Sequence, residues 1–396
     1  MALSKITTAS LADDSVTGAK IENNPTIAGN LTVSGEFIPL EAIANKNIII
    51  NGNFSVDQRE GGGVHSGNGN YNLDRWTTED SGNIDNLLMN ITRHADTPNG
   101  FDGYCLKYQC KTVESAVAAD EFYSLNQYVE SRNLQHLGFG TADAKSITVS
   151  FWVKSSLTGV FGFSIYQDDG GDIVSATYTI NSADTWEKKT FTFAGNTADS
   201  PANDNTRGWK VQWALWAGSN YTTTATPTWT TYTNARRIGG HVQNGLATTD
   251  ESTWQIAFVQ VEAGANATAF EHETYAETLA KCQRYFYAPI RVADGSANDT
   301  YFASGFMYTS SLMLGIIHHP VEMRAKPTLT SSSGTSDFTF YRDGAADAFD
   351  DVAFNTSNPK VTSIINNTDM SGTAGHGGGL FADDASTCFI YLSAEL

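Results

Sequence analysis

From about Lys46 onward, polar and apolar residues alternate in short runs. Ser146 to Val153, Val160 to Tyr166, Ile173 to Ile180, Lys188 to Phe193, Trp209 to Leu215 and Trp254 to Val261 all follow a period of two. That period describes a strand with one buried and one wetter face. Turn-forming clusters such as Asp168 to Asp172 and Ala194 to Thr197 separate the runs, as Gly, Asn and Asp do between strands. The opening run, Asn47 to Val56, also reads as a strand. Many short strands with no helical repeat between them predict an antiparallel sandwich. The span 46–275 suits one jelly-roll domain with long loops. A short helix follows over Tyr275 to Phe286, with Leu279, Cys282 and Phe286 at helical spacing. Thr274 and Glu277 stand where a capping box would start it. The remainder of 276–396 returns to strands at Tyr301 to Tyr308, Leu312 to His318, Asp337 to Arg342, Val361 to Asn366 and Cys388 to Ser393. Gly375 to Gly379 reads as a turn or loop tip.

Residues 1–45 differ from the rest. Their apolar residues are thinly spread (Val16, Ile21, Ile27, Leu31, Val33, Phe37), with no aromatic before Phe37. Such a stretch closes no core alone. It is either a flexible tail or a segment ordered by winding with other copies or by docking. The expected fold class is therefore mainly β: an N-terminal extended anchor or shaft segment, an antiparallel jelly-roll β-sandwich, a short helix and a small C-terminal β domain.

A length of 396 residues corresponds to two or three domains. The chain carries 24 Lys and Arg against 43 Asp and Glu, a net charge of −19. This excludes a phosphate-binding groove built on clustered cations, so no nucleic-acid partner is expected. Binding to an anionic membrane surface is disfavoured for the same reason. No run of about 18 apolar residues is present, so no membrane insertion is expected. The first residues lack an apolar core of signal-peptide length. Cys105, Cys110, Cys282 and Cys388 fit no zinc spacing and read as four reduced thiols. Cys105 and Cys110, five apart in a strand-like run, face opposite ways.

Aromatic residues carry the sharpest candidate chemistry. Trp209, Val211, Trp213 and Leu215 share one strand face, the expected sandwich core, while Trp216 falls out of phase ahead of a loop. Trp229 and Tyr232 lie in a second, Thr-rich loop. Sugar C–H faces stack on exposed rings, and Asn, Asp and Gln bind hydroxyls directionally. Trp216, Tyr221, Trp229 and Tyr232 are thus candidate glycan contacts, against loop packing or a subunit contact as the alternative. Asp168, Asp169 and Asp172 place three carboxylates within one turn, a candidate calcium site with hard oxygen donors. A solvated acidic turn is the competing reading, and no other cofactor is expected. Enzyme signatures are absent. His318 and His319 are adjacent and point apart in a strand, unlike HExxH, and no GxSxG or P-loop occurs. Glycoside cleavage needs two carboxylates about 5–10 Å apart. No repeat of a β-helix rung is present.

Ile48 to Arg59, followed by Tyr71 to Trp76, resembles the start of a carbohydrate-binding-type jelly roll common in tailed-phage fibre proteins. Val259 to Gly264 with Ala267 to His272 resembles its last strand, and Glu277 to Phe286 the helix that ends it. Pro320 to Thr328 and Leu392 to Leu396 are similar to the small terminal domain of the same proteins, and Gly29 to Gly35 to their shafts. The resemblance covers most of the chain. It implies a homotrimer in the phage particle, made in the host cytoplasm. It also implies contact with other virion proteins through residues 1–45 and distal domains that touch the host surface. The expected function is a trimeric tail fibre that binds host-surface glycan without cleaving it. The net charge suits a neutral or cation-bridged glycan. The alternatives are a purely structural particle protein (head fibre, decoration or tail connector) and a polysaccharide depolymerase.

Overall fold

The computed structural model describes residues 45–396 apart from 60–61, 66–70, 83, 85–87, 99–100, 224, 293–299 and 383–387. The described residues belong to one compact unit, Ala44–Leu396. The anchor segment 1–45, Asn45 excepted, lies outside the described residues, as does its shaft-like run.

The fold is mainly β, with antiparallel sheets and a short helix. Two sheets face one another in the sandwich. The first has the order Gly62–His65, Leu88–His94, Cys105–Thr112, Thr253–Ala263, Ile147–Ser155, Glu187–Phe193. The second has the order Thr230–Thr231, Asp172–Ile180, Gly159–Gln167, Arg207–Ala217, Phe122–Glu130, Trp76–Ser81, Tyr71–Leu73. Their facing sides bury one aromatic-rich core that includes Trp76, Trp209, Trp213, Trp254 and Phe151. Alternation predicted this inward set because successive side chains leave opposite faces of a strand. Cys105 and Cys110 do face opposite ways: Cys110 joins this core, and Cys105 packs with Phe258 on the other side of the first sheet.

Two expectations are corrected here. Asn47 to Val56 is not a strand. Asn51 and Phe54 have φ of 60° and 56°, and the Asn51 amide ties the turn by donating to Val56 O (2.9 Å) and Asp74 O (3.1 Å). Gly52 permits this course, since a Cβ there would lie 2.1 Å from Val259 O. The helix runs Tyr275–Gln283 with the capping box in place, but Phe286 has already entered the strand Phe286–Ile290.

The C-terminal region holds a three-stranded sheet (Phe286–Ile290, Ile390–Ser393, Thr328–Ser331) and a seven-stranded one. The latter has the order Ala345–Phe349, Phe338–Arg342, Gly377–Ala382, Thr300–Met307, Met313–His318, Val361–Asn366, Ala353–Asn358. Gly377 to Gly379 therefore lies within a strand, Gly378 and Gly379 paired on both sides and Gly377 on one, rather than at a loop tip. The turn falls earlier, at Gly375 with φ 89°. Charged contacts tie this region to the sandwich. Glu395 pairs with Arg59 (2.8 Å) and with buried Arg75, whose guanidinium lies 3.6 Å over the Tyr285 ring. Arg284 pairs with buried Glu130 at 2.6 Å. Buried charges of this kind persist only when paired and hydrogen-bonded. Among the described residues, no helix is long and apolar enough to cross a membrane.

Candidate functional site

The outward side of the second sandwich sheet carries the site. Tyr128, Lys210 and Tyr166 come from three adjacent strands and are direct cross-strand partners, so they form one row. All three are half-buried. Tyr232 joins the row from the loop that crosses the sheet, its ring 5.0 Å from Tyr166 in an edge arrangement. Arg207 stacks over Tyr128 at 4.8 Å and is ion-paired with Asp168. Beside the row, Glu79 accepts from Lys210 (2.9 Å) and pairs with Arg237 (2.5 Å). Burial alone would raise the Glu79 carboxyl, but these two cations hold it below the usual carboxylate range. Burial, reinforced by Arg237, pushes the Lys210 ammonium down to about 8 against the opposing pull of Glu79. Perturbed groups gathered on one face are a recognised mark of binding sites.

The next row is polar and covered. Gln212 donates to Ser124 Oγ (2.8 Å) and Asn126 Oδ1 (2.9 Å), and its carbonyl accepts from Arg237 Nε at 3.3 Å. The loop 218–244 lies on this part of the sheet. It packs so closely that a Cβ on Gly162 would lie 2.7 Å from Ile238 Cγ2. His241 pins it: Nδ1 accepts from Gly162 N at 3.0 Å, and Nε2 bonds Gln243 O at 2.5 Å. An open recess of about 460 Å³ adjoins the site, lined by Asp168, Asp169, Thr206, Arg207, Arg324 and Leu396.

The four aromatic candidates separate. Trp216 is a correction: it is fully buried and offers no surface. The register against Phe122–Glu130 shifts between Ala214 and Trp216, so Trp216 pairs with Tyr123 and stacks on it at 4.4 Å and 11°. A bulge of this kind adds one residue and swings the next side chain to the other face. Tyr221 is also corrected. It is 8 % exposed, packed on Phe122, with its hydroxyl 3.3 Å from Asp120 O. Trp229 is half-buried; it donates to Ala194 O at 2.8 Å and packs between Phe139 and Trp209. Tyr232 alone of the four stands beside the row.

The calcium reading is corrected as well. Asp168 faces Arg207, Asp169 accepts from Ala202 N (2.8 Å) and Ser131 Oγ (3.3 Å), and Asp172 accepts from Asn196 Nδ2 (3.1 Å). Each carboxylate is spent on a different protein donor. Among the described residues, no group of three His, Cys, Asp or Glu side chains converges to hold a metal ion. Tyr128, Tyr166 and Lys210 were not singled out from the sequence. Their outward phase was readable from the alternation, but their alignment was not.

No family model matches the chain, and no curated protein matches it. Among solved structures, it is similar to the enzymatically active domain of tailspike protein 4 of bacteriophage CBA120. That similarity has 13 % identity and a TM-score of 0.31 over 55 % of this chain, and it spans 21 % of the tailspike chain. A xylan-binding carbohydrate-binding module from Paenibacillus barcinonensis is similar at 11 % identity and TM-score 0.27, over 57 % of this chain and 100 % of the module. A family 11 carbohydrate-binding module from Clostridium thermocellum, solved with a mixed-linked tetrasaccharide, is similar at 10 % identity and TM-score 0.26, over 54 % of this chain and 98 % of the module.

Proposed function

We propose that this protein binds a neutral glycan on the outward face of the second sandwich sheet, without cleaving it, as a homotrimeric fibre component of a phage particle. The observation that carries the binding reading is the row Tyr128, Lys210 and Tyr166, extended by Tyr232. Half-buried rings offer stacking surfaces to sugar C–H faces, and Lys210 supplies hydrogen-bond donors between them. A non-cleaving role is supported by the state of Glu79. Glu79, the carboxylate beside the row, is held ionised between Lys210 and Arg237. A general acid for glycoside cleavage needs a carboxyl that stays protonated. The particle assignment, the trimer and the anchor role of residues 1–45 rest on the stretches that resemble phage fibre proteins.

The test is a glycan array probed with the full chain and with a Tyr166→Ala/Tyr232→Ala variant. Wild type is expected to give hits among neutral glycans. The variant should bind them roughly tenfold more weakly or worse, with melting lowered by no more than about 2 °C. Silence of wild type across the array overturns the binding reading and favours a purely structural particle protein. Release of reducing sugar from a bound polysaccharide overturns the non-cleaving part. A monomer in sedimentation overturns the trimer.

A further inference from the structure

The C-terminal seven-stranded sheet buries one side against the core of Phe338, Phe340, Met307, Met313, Ile364 and Leu380. Its other side is covered at Thr339, Phe381 and Ser363 and open elsewhere. Tyr301, Tyr341 and Phe306 stand out from it at 60 %, 47 % and 40 % exposure. The outward positions of its strands include no Asp, Glu, Lys or Arg. In a chain with a net charge of −19, such a surface is set apart.

The glycines at its centre decide what it can do. Glycine inside a strand costs stability and commonly marks the close approach of another group. Gly378 faces the core and is required there, because a Cβ would lie 2.1 Å from Tyr341 O. Gly379 is required by Tyr301, whose ring leans over it; a Cβ would lie 2.5 Å from Cε1. Gly377 is required by nothing, since its Cβ would meet only Gly305 O at 3.7 Å. The result is a shallow trough whose bare floor is Gly377 beside Phe306, while Gly379, opposite Tyr341, lies under the Tyr301 ring. It opens into a recess of about 330 Å³ between Tyr301 and His318.

We propose that this trough is a second saccharide-binding site, specific for a neutral hexose-containing glycan. Exposed rings beside a bare floor fit the flat C–H face of a pyranose. Ser304 and the two tyrosine hydroxyls supply donors and acceptors around it. The absence of cations on an acidic protein selects against anionic sugars. Seven strands at about 4.8 Å, five to eight residues long, span roughly 650 Å², and part of that is already covered at Thr339, Phe381 and Ser363. That falls short of the roughly 800 Å² per partner that a stable protein interface covers, so a second copy is the poorer occupant. The proposal does not depend on the reading of the Tyr166 face.

The experiment uses the full chain and affinity gels cast with dextran, galactan, xylan or mixed-linkage β-glucan. The Tyr166→Ala/Tyr232→Ala variant is expected to keep retention on at least one gel. Adding Tyr301→Ser and Tyr341→Ser should weaken that retention about tenfold or more, with unchanged sedimentation. Gly377→Gln, which fills the floor without a clash, should do the same if the tyrosine variants fold poorly. Complete loss of retention with Tyr166→Ala/Tyr232→Ala alone overturns this site and leaves the first standing. Undiminished retention after Gly377→Gln overturns it too. Dissociation of an oligomer by Tyr341→Ser also overturns it, by making the face a subunit contact.

Discussion

The outward faces of the sandwich sheet and of the C-terminal sheet use the same strand geometry to opposite ends. On the sandwich, a loop covers part of the face, His241 pins it, and the charges beside the open row are tied in the Glu79–Lys210–Arg237 cluster. On the C-terminal sheet no charge faces outward, and three aromatic residues stand in solvent above glycine. One face is preorganised by buried polar contacts. The other is shaped by the omission of side chains. A ring in the first is held by its neighbours, whereas a ring in the second depends little on the fold around it.

The strongest way to break this comparison is inside the sandwich. Trp216→Ala removes a fully buried indole and is expected to cost about 3–5 kcal/mol, read as a lower urea midpoint. A change that spares stability but abolishes glycan binding would return Trp216 to the surface. The second lever is pH. Burial lowers the His241 imidazole to about 4 from its ordinary 6.5. The unfolded chain therefore binds the proton more tightly, so the stabilisation is fully present above pH 6.5 and is lost as pH falls toward 4. Its size is roughly 3 kcal/mol at most. Hydrogen-exchange protection of 218–244 should fall over that range more than protection of the C-terminal sheet, and His241→Gln should flatten the difference. Equal loss in both regions would mean that His241 does not pin the loop. The smallest effect is expected for Tyr341→Ser, within about 0.5 kcal/mol of wild type. A larger drop in its urea midpoint would mean that the exposed ring belongs to the fold.

The strands and the helix cap were legible because they are local. Alternation over eight residues already separates the buried set of Ile147–Ser155 from its outward set, and Thr274 meets Glu277 three residues on. Trp209 and Trp213 were likewise assigned to the core by phase alone. The errors share a different cause. Trp216 went inward because a bulge against Phe122–Glu130 shifted the phase late in its strand. Asn47 to Val56 looks like a strand until Asn51 bonds across to Asp74, far along the chain. The aspartates at 168, 169 and 172 are close in sequence, but each found a separate donor supplied by another segment.

By itself, the sequence determined the fold class, most strand positions, the helix start, the acidic balance and the inward tryptophans. These follow from side-chain period and composition, which need no partner. Only the tertiary structure decided which residues meet. Tyr128, Lys210 and Tyr166 lie on separate strands and become one row through register, and Gly377 becomes a floor only once Phe306 lies beside it. Register and bulges are set by contacts between distant segments, and a periodic pattern read along one strand carries no record of them.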